Sequence, residues 1–282
     1  MAYYLSAFAD ESSELFSGQV DALKRNGLTY LEIRNLDGLN VSKLSLSQAK
    51  EIRNILNGEG LGVWSIGSPI GKIQVYDDFE AHMDVYRHTL EVANVLGAGN
   101  IRLFSFFMPK SDNPENYRNL VLDRMSRIAE TAKEFGVTPC HENEKGIYGD
   151  TAQRCLELHK AVPQLKAVFD PANFVQCGQD TLAAWETLKP YVQYLHIKDA
   201  LPNGMVVPPG EGLGNIKPIV QDYLGSGGQV LSLEPHLYEF VGLKSLEQEG
   251  EESVVGAMSF SDAPTAFDYA ANTFKKILEE IV

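Results

Sequence analysis

The feature that most constrains this chain is an alternation of two hydrophobic periods from one end to the other. Short runs suited to buried strands recur at YYLSAFA (3–9), TYLEIRN (29–35), LGVWSIGS (61–68), NIRLFSFF (100–107), VTPCHEN (137–143), LKAVFD (165–170), VQYLHIK (192–198) and QVLSLEP (229–235). Between them lie longer segments with helical spacing, such as 79–99 and 115–136, each closed by glycine, where a C-terminal cap belongs. A last helix is expected over about 263–281, covering the first strand. Strands that alternate with helices demand a parallel sheet, and eight such units are the number that closes into a barrel. The expectation is a single (β/α)8 barrel over residues 1–282, with its working groups at the C-terminal ends of the strands. An open doubly wound sheet would want a glycine-rich phosphate loop directly after its first strand, where this chain has ADESSELF. The glycines of PPGEGLGN follow a loop instead.

Against that frame, four strands end in groups that a buried strand rarely carries. They are CHENE, VFDPANF, LHIKDA and LSLEPHL, which present Glu142, Asp170, His196 and Glu234. One such residue alone is more often a cap, a salt-bridge partner or a satisfied core histidine. In a barrel, however, consecutive strand ends stand side by side around the mouth. Three carboxylates brought together there repel strongly unless a positive charge sits among them. A divalent metal answers that demand. Three carboxylates and an imidazole suit Mn²⁺ or Mg²⁺, with Zn²⁺ or Co²⁺ as alternatives, and the set offers no thiolate for a soft metal.

Composition excludes other classes. A net charge of −14 opposes nucleic acid, whose phosphates demand a basic surface. A hydrophobic fraction of 44% supports a globular core. The sequence has no apolar run near the roughly 20 residues that a membrane helix needs. The opening MAYYLSAFADE lacks the basic region of a secretory signal, and Cys140, Cys155 and Cys177 form no paired framework. A cytoplasmic protein is expected, with homo-oligomerisation left open.

The stretches FDPANFVQCGQD, LHIKDA, VPPGEG and LSLEPHL resemble the xylose isomerase-like barrels, specifically the sugar phosphate isomerase/epimerase group with its ketose 3-epimerases and inosose dehydratases. The likeness covers nearly the whole chain. It implies one divalent metal held by Glu142, Asp170, His196 and Glu234, with Glu142 and Glu234 also the acid–base pair. Glu32, in YLEIR, loosely matches a second-strand glutamate of the family. Glu211, in GEG, matches a motif that shapes the mouth loop, and Lys72, in SPIGK, resembles a substrate contact. Two departures stand out. Asn173 occupies the position where many relatives have a histidine; DNA-repair endonucleases of this barrel need that histidine for their zinc cluster. Where well-studied epimerases place an arginine after the seventh-strand histidine, this chain has Lys198 and Asp199.

This donor set suits proton abstraction next to a carbonyl. The metal lowers the cost of an enediolate, one carboxylate removes the proton, and the second returns it. Glu144 is the reserve base, on the same strand face as Glu142. Lys198, His236, Asn173, Glu211, Lys72 and Phe107 are the candidate substrate contacts, Phe107 by stacking on a sugar ring, while Trp64 reads as core. The favoured function is an isomerase or epimerase of a small-molecule sugar or sugar phosphate. The alternative is a dehydratase (lyase) acting on an inosose-like polyol. An endonuclease-type hydrolase or a non-catalytic sugar-binding protein is disfavoured by the charge, by Asn173 and by the intact carboxylate set.

Overall fold

The computed structural model describes residues 2–240 and 258–281. Eight parallel strands close into a barrel: β1 (Tyr4–Ala7), β2 (Tyr30–Ile33), β3 (Gly62–Gly67), β4 (Asn100–Leu103), β5 (Thr138–Glu142), β6 (Lys166–Phe169), β7 (Val192–Ile197) and β8 (Val230–Leu233). Each pairs with its sequence neighbours, and β1 closes the ring on β8, with Ser6 opposite Ser232. All eight fall inside the runs that the sequence marks. The helices outside are α1 (Phe16–Arg25), α2 (Leu46–Gly58), α3 (Phe79–Leu96), α4 (Arg118–Phe135), α5 (Ala152–Ala161), α6 (Pro171–Gln176), α7 (Thr181–Leu188), α8 (Ile216–Gly225) and α9 (Ala263–Ile281).

Local chemistry sets the boundaries. Ser45 and Gln48 form a reciprocal cap at the start of α2. Gly97 and Gly136, both in the left-handed region, end α3 and α4. The last helix docks beside α8 and the turn after β1, and Arg25 of α1 clasps its Asp268 at 2.7 Å. The fourth strand is shorter than its apolar run. Phe106 takes a left-handed conformation (φ 66°), and the chain folds back so that Phe104 and Phe106 donate to the carbonyls of Ile70 and Gly71. Gly71 is required there, because a Cβ would stand 2.0 Å from the Phe104 carbonyl oxygen.

The barrel interior changes character along its axis. A buried cluster of Cys140, Val168, Tyr194 and Val230, with Trp64 packed against it, fills one level as the sequence expected for Trp64. Two residues further along four of these strands stand Glu142, Asp170, His196 and Ser232, because side chains two apart share a strand face. The same period therefore carries an apolar floor into a polar mouth.

Candidate metal centre

Each expected ligand is placed by its strand end. Glu142 is the last residue of β5, Asp170 follows β6, His196 lies in β7 and Glu234 follows β8. All four are buried, and each offers a donor atom within 4.8 Å of the others. Asp170 also caps α6: its Oδ1 accepts from the Asn173 backbone N–H at 2.9 Å, with Pro171 in the first turn. Asn143 holds the Asp170 backbone through both of its amide atoms, at 3.0 and 2.9 Å.

His196 Nδ1 lies 3.1 Å from Glu142 Oε1 and 3.2 Å from Glu234 Oε2. Its Nε2 faces Glu32 Oε2 at 3.2 Å. Glu32 is itself fixed by the Tyr194 hydroxyl on one oxygen and the Ser232 hydroxyl on the other, each at 2.6 Å. A proton held on Nε2 by Glu32 leaves Nδ1 as the nitrogen presented to the ligand set. On the far side, Arg102 Nη1 approaches Glu142 Oε2 at 3.3 Å and Glu234 Oε1 at 3.5 Å. The two glutamates are thus bracketed between one imidazole nitrogen and one guanidinium nitrogen.

Burial and neighbouring charges shift these groups in opposite directions. Burial pushes Asp170 up to about 7, with Glu142 and Glu234 adding to it and Lys198 opposing. Burial would lower His196, but Glu142, Glu32 and Glu234 outweigh it and hold the imidazole well above its usual range. Burial would likewise raise Glu234, yet Lys198, His196 and His236 hold it well below the carboxylate range. Glu142 Oε2 and Asp170 Oδ2 are buried beside the Arg102 and Lys198 cations, but neither accepts a hydrogen bond of good geometry. A divalent cation about 2.1 Å from each ligand places neighbouring donors about 3 Å apart. The observed spacing and the unsatisfied oxygens fit such an ion, with Glu142, Asp170, His196 and Glu234 as its holders.

The remaining expected residues divide. Asn173 joins the centre, its amide donating to Glu142 Oε1 at 3.3 Å and to the Asn143 carbonyl at 2.9 Å. Lys198, expected to meet substrate, has its ammonium 2.9 Å from Asp170 Oδ2 and 3.2 Å from Glu234 Oε2, so it acts here as their counter-ion. His236 adopts a left-handed backbone (φ 46°), its N–H donates to Glu11 Oε2 at 2.6 Å, and its ring stacks on Phe240. Its Nε2 lies 3.6 Å from Glu234 Oε1. Lys72 pairs with Glu144 at 3.4 Å and sits 4.4 Å from the centre of the Phe104 ring. Phe107 is buried with Phe104 and Ile147, packed as wall. Glu211 is exposed, on a loop tied down by Asp199 rather than by Glu211 itself.

Sequence reasoning missed two buried guanidiniums. Arg34, after β2, grips Asp10 through two 2.9 Å bonds and reaches Glu234 Oε1 at 3.1 Å, its head flanked by the rings of Phe8 and Phe240. Arg102, in β4, is the other. The signal that found His196, a charged residue inside a strand run, is present in TYLEIRN and NIRLFSFF as well.

Fold and site together define a TIM-barrel protein whose mouth gathers three buried carboxylates and one imidazole that could hold a metal ion. Residues 20–253 match the family described as xylose isomerase-like TIM barrel, and the chain belongs to that family. A 3-dehydroshikimate dehydratase of Bacillus anthracis is 22% identical over 227 residues, 73% of this chain and 81% of that protein. Among solved structures, an L-ribulose 3-epimerase superposes with a TM-score of 0.76 at 18% identity, covering 100% of this chain and 96% of that one. The IolI protein with a bound zinc atom superposes with a TM-score of 0.74 at 15% identity, over 99% of each chain. At these identities the superpositions speak for the fold.

Proposed function

We propose that the chain is a divalent-metal-dependent isomerase or epimerase of a small sugar or sugar phosphate. The observation that carries this reading is the bracketed pair, Glu142 and Glu234, held between His196 Nδ1 and Arg102 Nη1. A metal held by Glu142, Asp170, His196 and Glu234 would supply the charge that acidifies a carbon beside a carbonyl. Glu142 and Glu234 then act on that carbon, one taking the proton and the other returning it. Arg102 and Arg34 hold the carboxylates in place.

A second reading, dehydration, is favoured by one specific feature. Lys198 stands inside the carboxylate ring, where a departing hydroxyl would need a donor, and the relative in Bacillus anthracis is named as a dehydratase. The test incubates Mn²⁺-loaded protein with ketoses, inososes and their phosphates in D₂O. Proton return predicts a product of unchanged carbon skeleton, with deuterium at the carbon beside the carbonyl. Glu142→Gln and Glu234→Gln should each slow that exchange by about 10²-fold or more. Stoichiometric loss of water would establish the dehydratase. No exchange and no product with any member of the panel would count against both.

A further inference from the structure

Arg102 is a fully buried cation whose bonding is half complete. Its Nη1 is shared between Glu142 and Glu234, while its Nε and Nη2 are buried without any hydrogen-bond partner. Unsatisfied buried donors are rare, and a charged one is costly to leave unmade. The pattern of vacancy is specific. Nε and Nη2 form one edge of the guanidinium, a two-pronged fork of parallel N–H groups that matches the two oxygens of a carboxylate. The plane is fixed from outside, since the guanidinium carbon lies 4.8 Å from the Phe8 ring centre and 5.0 Å from that of Phe104. Arg34, by contrast, spends its fork on Asp10. Of the two guanidiniums buried beside Glu234, Arg34 is therefore satisfied by its own carboxylate and Arg102 is not.

We infer that the Nε–Nη2 edge of Arg102 receives a carboxylate of the substrate. This rests on the proposed function above and narrows its substrate to hydroxy-carbonyl compounds that carry an acid group. Nη1 stays with Glu142 and Glu234, so a carboxylate on the opposite edge sits within one guanidinium of both proposed bases. The reacting carbon then lies close to the carboxylate in the substrate skeleton. A phosphate fits less well, because its double negative charge would enter a site already crowded with carboxylates. Lys72, whose ammonium lies over the same Phe104 ring, is the neighbouring cation and is paired with Glu144.

The experiment measures binding rather than turnover, so it stands apart from the reaction itself. Matched pairs are titrated calorimetrically into Mn²⁺-loaded protein: hydroxypyruvate against dihydroxyacetone, and glucuronate against glucose. Dihydroxyacetone phosphate and glucose 6-phosphate form the phosphate arm. The carboxylated member of at least one pair should bind about tenfold or more tightly than its neutral partner and its phosphate analogue. Arg102→Lys keeps a cation beside Glu142 and Glu234 but removes the fork. It should erase that preference with the circular dichroism spectrum retained, and Arg102→Gln should do the same to the preference. The inference is overturned if no carboxylate outbinds its neutral partner, if the phosphates bind best, or if Arg102→Lys keeps the preference. A carboxylate preference without proton exchange would instead retain this inference and remove the proposed reaction.

Discussion

At the scale of single residues, the candidate site is organised by a few buried contacts around His196. Glu32 touches no substrate in this account, yet it orients the imidazole while Tyr194 and Ser232 orient Glu32. Such outer partners set ligand orientation and basicity, and losing one typically costs about 10–100-fold in metal affinity. Glu32→Gln should therefore weaken Mn²⁺ binding by about that factor with the fold intact, which competition against a metallochromic dye would measure. Unchanged affinity would show that His196 needs no such orientation. The four metal-site candidates were legible in the sequence because each is a polar residue at the end of a run that otherwise wants burial. Arg34 and Arg102 carried the same signal but were not read. A guanidinium lies far from its own Cα, so nothing in TYLEIRN or NIRLFSFF tells an inward arginine from one at the surface. Nor does sequence show that Lys198 meets Asp170 and Glu234 before it meets anything else.

At the scale of elements, the loop after β7 is tied down by a single carboxylate. Asp199 accepts backbone N–H groups from Gly210, Gly212 and Gly214 at 2.9, 3.0 and 2.7 Å, and from Ala200 at 2.9 Å. Gly212 must be glycine, since a Cβ would stand 2.3 Å from Asp199 Oδ1. The VPPGEGLGN stretch, set aside in the sequence as a nucleotide loop, is instead a backbone cradle around one carboxylate. Asp199→Ala leaves those donors unpaired and should cost about 2–3 kcal/mol of stability. Urea denaturation would read this as a lower midpoint, and an unchanged midpoint would mean that the cradle does not bind the loop. The eight barrel strands and three of the outer helices were readable from period, whereas the short antiparallel pairs Asn35–Leu36 with Leu39–Asn40 and Asp199–Ala200 with Val206–Val207 were not. The fourth strand ends early because Phe106 turns left-handed onto Gly71, a contact between segments that no local pattern encodes.

At the scale of the whole molecule, the barrel concentrates ionisable groups inside while its stability depends on histidines kept neutral elsewhere. His159, 2% exposed in α5, is lowered to about 4 by burial, with its Nδ1 bonded to the Leu165 carbonyl at 3.2 Å. Its folded pKa lies below the unfolded value of about 6.5, so the unfolded chain binds more protons in between. Stability should be full above pH 6.5 and fall as the pH drops towards 4, by up to about 3 kcal/mol from this residue. His159→Gln, which keeps a donor for Leu165, should show a shallower loss across that window in urea midpoints measured from pH 7.5 to 4. A loss as steep as the parent's would show that His159 is not responsible. The proposed chemistry depends above all on the metal centre. The most direct measurement is elemental analysis with Mn²⁺ titration of the purified chain and of His196→Ala. About one tightly held divalent ion per chain is expected, lost in the variant while the circular dichroism spectrum is retained. A parent chain that binds no divalent metal, or a His196→Ala chain that binds it as tightly as the parent, would contradict that expectation.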